Sequence, residues 1–244
     1  MRKITTPFLL VNPKSYLFGQ ESLDLALASD QAAQTYQMQI FFTCCYSDIR
    51  LIKENTKKVI VTAQHMDAIY PGRGEGYVLP EALSDAGCEA VYLNHAEHPL
   101  TLDVLYQSIQ RAKEVGLISI VCANSASEGV AIATMMPDII ICEPTDLIGT
   151  GEKADNHYMS EVVNRIRAVN KEIKIVVGAS IQSGKDCVKV LEAGADGTGA
   201  TSGIVNADSP SEKVNEMAKM MSSWKMVVTK NNTKKNRRLS EEGN

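Results

Sequence analysis

The feature that most constrains this chain is a repeated pattern: short apolar runs return eight times, each followed by a stretch of helical period. The runs are Phe8 to Val11, Gln39 to Thr43, Val59 to Ala63, Ala90 to Leu93, Ile118 to Cys122, Ile139 to Cys142, Ile173 to Val177 and, more weakly, Asp196 to Ala200. They are continuous rather than alternating, as in strands covered by helices on both faces, and such strands pair in parallel. Between them, Leu102, Leu105, Ile109 and Ala112 fall three, four and three apart, an apolar helix face opposite Gln107, Arg111 and Lys113. Val162, Val163, Ile166 and Val169 repeat this behind a Ser160 N-cap, and Gly194 ends the helix that carries Val190 and Leu191. Residues 1–228 divide into eight units of about 28 residues, close to the roughly 30 of a (β/α)8 barrel. An open doubly wound sheet is the competing architecture. It wants a Gly-rich phosphate turn after its first strand, where this chain has Asn12-Pro13-Lys14. The expected fold is a single α/β domain, an eight-stranded parallel (β/α)8 barrel.

Charge and cysteine usage direct the search to a local site. Lys and Arg number 25 against 29 Asp and Glu, and the net charge of −4 excludes a chain-wide basic field for nucleic acid or anionic membrane. No apolar run approaches the ~18 residues of a membrane span. The one near Met1 stops at Asn12 and Lys14, short of a signal-peptide core of ~7–15 residues, so the expected location is the cytoplasm. Cys44, Cys45, Cys88, Cys122, Cys142 and Cys187 form no C-x-x-C pair and meet no histidine at ligand spacing; they read as reduced, buried thiols, with no metal centre. Cys142, just before an acidic residue, has no histidine base near it and is expected in the core. Residues 229–244 change character: Lys230, Lys234, Lys235, Arg237 and Arg238 are followed by Glu241 and Glu242, with Leu239 the only large apolar side chain. That composition predicts a solvated, disordered tail, with a basic arm for RNA or another acidic partner as the sharper alternative. Met217, Met220 and Met221 just before it have the spacing of a packed last helix.

In a barrel, the residues that follow each strand gather at one mouth. Here they are Asn12 and Lys14, then Gln64 and His65, then Asn94, His95 and Glu97, then Asn124 and Glu143. Gly178-Ala179-Ser180 and Thr201-Ser202-Gly203 complete the ring. A lysine, a histidine and a glutamate converging there supply a fixed positive charge, a hydrogen-bond donor and a carboxylate base. The two small-residue turns offer backbone N–H groups to a phosphate dianion. Together this is equipment for moving a proton beside the carbonyl of a phosphorylated sugar.

Four segments then carry a resemblance: Val11-Asn12-Pro13-Lys14-Ser15-Tyr16, Leu93-Asn94-His95-Ala96-Glu97, the E-P-x-x-L-I-G-T-G stretch from Glu143 to Gly151, and Gly194 to Gly203. In order and spacing they resemble the triosephosphate isomerase family, in its compact archaeal-type branch. The resemblance implies a TIM barrel and an aldose–ketose isomerase of glycolysis and gluconeogenesis that needs no cofactor. By the same resemblance Glu143 is the proton-shuttling base, His95 the electrophile that polarises the carbonyl, Lys14 the cation facing the enediolate, and Asn12 a support for that oxyanion. Glu97 resembles a carboxylate beside Lys14. Ile148 and Gly149 match a lid tip that reaches the substrate phosphate, and Ser180, Ser202 and Gly203 match the other phosphate loops. The implied assembly is a homodimer or dimer-based tetramer, because the family inserts its third loop into the neighbouring subunit beside the counterpart of Lys14.

Three departures fall within these motifs, of which Thr145 and Asp146, at lid-hinge positions where family members differ among themselves, decide little. Ala96 stands where the family commonly has Ser, and Gly72-Arg73-Gly74-Glu75-Gly76 replaces a pattern ending in Thr-Gly, adding the carboxylate of Glu75. They leave open a paralogous isomerase of a four-carbon ketose phosphate such as erythrulose phosphate. A catalytically silent sugar-phosphate-binding barrel is the third reading, against which the survival of Lys14, His95 and Glu143 argues.

Overall fold

The structure is a computed structural model that describes residues 3–143, 156–178 and 181–242, with Asn156 and residues 232–242 as backbone only. Eight strands, β1 (Phe8–Val11), β2 (Gln39–Cys44), β3 (Ile60–Ala63), β4 (Ala90–Leu93), β5 (Ile118–Ala123), β6 (Ile139–Cys142), β7 (Lys174–Val177) and β8 (Gly197–Ala200), close into a barrel in chain order. Every neighbouring pair is parallel, and β8 returns to β1 with Phe8 opposite Gly197. The helices around them are α1 (Gly19–Thr35), α2 (Ile49–Asn55), α3 (Pro80–Asp85), α4 (Leu102–Glu114), α5 (Ala126–Ala133), α6 (Asn156–Val169), α7 (Gly184–Glu192), α8 (Ser202–Val205) and α9 (Pro210–Glu242).

The continuous apolar runs are explained by two cores that share each strand. Phe8, Leu10, Phe41, Ile60, Tyr92, Ile118, Ile120, Ile139 and Ile141 point into the barrel, while Leu9, Val11, Ile40, Phe42, Val61, Val91 and Leu93 pack outward under the helices. Bulk on β1 dictates the small residues of β8. Phe8 meets Phe41 edge-on, with ring centroids 5.4 Å apart, and a Cβ at Gly197 would lie 2.6 Å from the Phe8 carbonyl oxygen. Helix starts are fixed by side-chain caps, Thr101 accepting from the Val104 N–H, Ser125 from Glu128 and Ser183 from Asp186. Gly194, at φ +100°, follows α7 as the left-handed residue expected there.

The structure corrects three local expectations. Helix α6 begins at Asn156, so Ser160 lies a turn inside it rather than capping it. Leu102 and Val169, at helix ends beyond the packed face, are exposed, whereas Leu105, Ile109, Ala112, Val162, Val163 and Ile166 are buried. Arg111, expected on the solvent face of α4, is 4% exposed. Its guanidinium is held by Glu81 and Glu114, lies 3.8 Å from the Tyr70 ring centroid and donates through Nε to the Ile69 carbonyl at 3.1 Å. Helical period cannot foresee this, since the cover comes from the distant loop 67–79. Helix α9 runs past Val228 to Glu242, and no Pro or Gly interrupts the chain between Ser211 and Glu242. Met217 and Met221, on α9 itself, are buried, and all six cysteines are free, with the Cys142 thiol buried and pushed up to about 11 by that burial.

Candidate active site

The site is built first on the loop after β1. Lys14 has φ +50°, a left-handed conformation that costs a non-glycine residue energy. Two side chains hold it there: Asn12 Oδ1 accepts the Lys14 backbone N–H at 2.9 Å, and Gln64 Nε2 donates to the Lys14 carbonyl at 2.9 Å. The Lys14 ammonium then reaches Glu97 Oε1 at 2.7 Å, and this hydrogen bond holds the Glu97 carboxyl below its ordinary range. The Glu97 backbone N–H in turn donates to His95 Nδ1 at 3.1 Å. Since Nδ1 accepts, the proton of a neutral ring sits on Nε2. Burial, and then the nearby Lys14 charge, push the His95 pKa down, with Glu97 opposing. The ring is therefore a neutral donor, suited to polarising a carbonyl without giving its proton away.

Glu143 enters from the far side, directly after β6, with its backbone N–H on the Ala123 carbonyl at 2.9 Å. Burial raises the pKa of its carboxyl, and the positive charge of Lys14 pulls the other way. A carboxylate with little water around it is a stronger base than a solvated one. Room for it is made across the β6–β7 pair: any Cβ at Gly178 would collide with the Glu143 carboxylate. Ser202 and Gly203 open α8 immediately after β8, and a Cβ at Gly203 would strike the Ile181 carbonyl, so the turns after β7 and β8 touch. Ile148, Gly149 and Ser180 lie outside the described residues.

Other mouth residues turn out to be architecture. Asn94, at φ +57°, donates to the Cys122 carbonyl at 3.0 Å and Glu128 Oε1 at 3.1 Å and accepts from the Leu100 N–H at 2.9 Å. The Asn124 N–H donates to Glu128 Oε2 at 2.8 Å. His65 stacks on His98 with centroids 4.0 Å apart. Beside Lys14 opens a cavity of about 650 Å³ lined by Asn12, His65, Glu75, Tyr92, His95 and Glu97, among others. Tyr92 is the residue that the sequence did not single out. It reads there as one more apolar strand position, and only its place on the inward-facing alternate of β4, two residues before Asn94, hints that its hydroxyl nears the mouth.

Among the described residues no helix is long and apolar enough to cross a membrane, and no three His, Cys, Asp or Glu side chains are placed to hold a metal ion. The family model for triosephosphate isomerase matches residues 7–223. The chain is 34% identical over 218 residues to the triosephosphate isomerase of Methanocaldococcus jannaschii, covering 87% of this chain and 99% of the relative. It is 33% identical to that of Methanoculleus marisnigri, over 88% of this chain and 99% of the relative, and 32% identical to that of Sulfolobus acidocaldarius, over 87% and 94%. With matches of that length over the same barrel and mouth, the chain belongs to the triosephosphate isomerase family.

Proposed function

We propose that this chain interconverts dihydroxyacetone phosphate and D-glyceraldehyde 3-phosphate with Glu143 as the proton-shuttling base and His95, Lys14 and Asn12 as the groups that meet the developing oxyanion. The observation that supports this most is the hydrogen-bonded order Lys14–Glu97–His95, which fixes a cation and a neutral N–H donor on one side of the mouth while Glu143 stands half-buried on the other. An enediolate puts negative charge beside a phosphate that already carries charge. Lys14 and the His95 Nε2–H counter it where it develops, and Asn12 adds an amide donor. Glu143 takes the proton from one carbon and returns it to the next. Ser202 and Gly203 offer the first turn of α8 to the phosphate, and by resemblance Ile148, Gly149 and Ser180 complete its cradle.

A coupled assay of the purified chain with dihydroxyacetone phosphate, run beside Glu143→Gln and beside erythrulose phosphate, tests the reading. The expected result is triose turnover that Glu143→Gln abolishes. A strong preference for the four-carbon substrate would overturn the substrate assignment, and turnover independent of Glu143 would overturn the base.

The assembly belongs to the same reading: a homodimer or dimer-based tetramer in which loop 67–79 of one subunit enters the cavity beside Lys14 of another. The loop is preformed for this. Asp67 Oδ2 accepts the Val78 N–H at 2.7 Å, the Asp67 N–H donates to the Val78 carbonyl at 3.0 Å, and Arg111 holds the Ile69 carbonyl, with Tyr70 and Tyr77 exposed on it. Light scattering is expected to give a dimer mass or a multiple of it, and a fully active monomer would contradict this. Location in the cytoplasm and a role in glycolysis follow the family, and residues 229–244 are read as dispensable for turnover.

A further inference from the structure

The loop 94–100, which carries His95 and Glu97, is closed at its base by one side chain. Asn94, buried and at φ +57°, accepts the Leu100 N–H on Oδ1 at 2.9 Å and so draws the two ends of the loop together. Within the loop the His98 N–H donates to the His95 carbonyl at 2.8 Å, and the Glu97 N–H to His95 Nδ1 at 3.1 Å. The closure requires the Asn94 carboxamide to present its oxygen, not its nitrogen, to Leu100. Two acceptors settle that orientation by taking the NH2 group: the Cys122 carbonyl on β5 at 3.0 Å and Glu128 Oε1 on α5 at 3.1 Å. Glu128 is placed for this at the expense of a more local duty. Ser125-Ala126-Ser127-Glu128 has the spacing of a capping box, and the Ser125 hydroxyl accepts the Glu128 N–H at 3.2 Å. In such a box the glutamate side chain turns back to the N–H of the cap residue. Here Oε2 accepts the N–H of Asn124, one residue earlier, at 2.8 Å, while Oε1 crosses to Asn94. Both groups that converge on the side chain are donors, and a carboxylate meets both because each of its oxygens only accepts. The two bonds tie the turn after β5 to the turn after β4, its neighbour in the barrel.

We infer that Glu128 is a positioning residue for the isomerisation: by orienting Asn94 it closes the 94–100 loop and holds the His95 ring and the Glu97 carboxylate in register with Lys14. The path consists of direct contacts, Glu128 to Asn94, Asn94 across the base of the loop to Leu100, and, inside the loop, Glu97 to His95 and Lys14. The inference rests on the reading in which His95 and Lys14 meet the oxyanion. It goes beyond that reading in naming what aims them, a carboxylate on a helix behind the mouth. A glutamine at this position keeps the shape but turns its NH2 toward either the Asn124 N–H or the Asn94 NH2, donor against donor, so the second acceptor oxygen alone is at issue.

The test is a double-mutant cycle in the full-length chain, with Glu128→Gln, Asn94→Gly and the pair compared with wild type in triose isomerisation. Glycine is chosen at 94 because it tolerates the positive φ while removing the carboxamide. Circular dichroism and thermal melts run alongside. Glu128→Gln is expected to lower kcat about tenfold, with KM changed less than about twofold, the size of one hydrogen bond felt in the transition state. In the Asn94→Gly background the same change should have no further effect on kcat. The second readout is the 15N NMR spectrum of the neutral His95 ring, assigned against a His95→Gln variant. In the wild type Nδ1 should resonate as a bare ring nitrogen, and Glu128→Gln should move it toward the protonated position as the other tautomer gains population. Wild-type kcat with an unmoved Nδ1 signal in Glu128→Gln, or losses that multiply in the double variant, would overturn the inference while leaving the isomerase reading intact. A fall in kcat that only follows a smaller folded fraction would overturn it as well. Absence of Glu143-dependent turnover in the wild type would overturn both readings.

Discussion

The two sides of the barrel mouth place their charged groups by different means. On the β1–β4 side, Lys14, His95 and Glu97 are 28%, 20% and 66% exposed and keep their positions through hydrogen bonds to one another and to the backbone. On the β6–β7 side, Glu143 is half-buried and owes its place to a missing side chain at Gly178. The first arrangement adds partners to burial: Glu97 accepts from the lysine, its backbone N–H fixes which nitrogen of His95 is bare, and burial ahead of the Lys14 charge keeps that ring neutral. The second sets protonation by removing water, which makes the carboxylate more basic. A network of partners loses function gradually when one member is changed, whereas a lone base loses it steeply.

That contrast is broken or sharpened by graded substitutions. Glu143→Gln should have the largest effect, a fall in kcat of about 10³-fold or more with the melting temperature unchanged or raised, since an amide costs less to bury than a carboxylate. Lys14→Met comes next, with kcat/KM lower by roughly 10²–10³-fold from the lost counter-charge. Its pH profile carries a sign. Burial raises the Glu143 pKa and Lys14 lowers it, so without Lys14 the base protonates at higher pH and the acid limb of kcat/KM moves upward. An acid limb that stays in place would mean that the two sides do not sense each other. Gly178→Ala should cost on the order of 10² in kcat with little change in melting temperature, because the atoms displaced are the tip of Glu143 rather than backbone. Gly203→Ala, aimed at the Ile181 carbonyl, should lower activity and stability together. The smallest effect is expected of Glu97→Gln, about tenfold in kcat with an unaltered melt, since exposed ion pairs add little stability. Because Glu97 opposes the depression of His95, an NMR titration should find the His95 pKa lower still in that variant.

The same contrast marks how far the sequence could be read. Strand positions were legible almost to the residue because both cores draw on each run, so apolar continuity and strand coincide from Phe8 to Val177. The eighth run was faint for a physical reason: Gly197 and Gly199 leave room for Phe8 and Leu10, and a strand made of such residues carries no apolar signal of its own. On the exposed side of the mouth, motif residues and geometry agree, since Lys14, His95 and Glu97 meet directly. What stayed hidden depends on distant cover. Arg111 is buried by a loop some forty residues earlier in the chain, while the Asn94 side chain is drawn from the mouth by Glu128, which also accepts the Asn124 backbone N–H. Tyr92 looks like core because most of it is core. The relation between Gly178 and Glu143 appears only once β6 and β7 lie side by side.

The central claim is that one carboxylate, Glu143, carries the proton while the opposite side holds the charge. The most direct test is proton exchange with solvent: dihydroxyacetone phosphate is incubated with the chain in D2O, and deuterium at the carbon-bound positions of both triose phosphates is followed by NMR. Wild type should introduce a single deuterium at the carbon beside the carbonyl, at a rate comparable with isomerisation, and Glu143→Gln should introduce none above the uncatalysed background. Label appearing at an undiminished rate in Glu143→Gln would contradict the account.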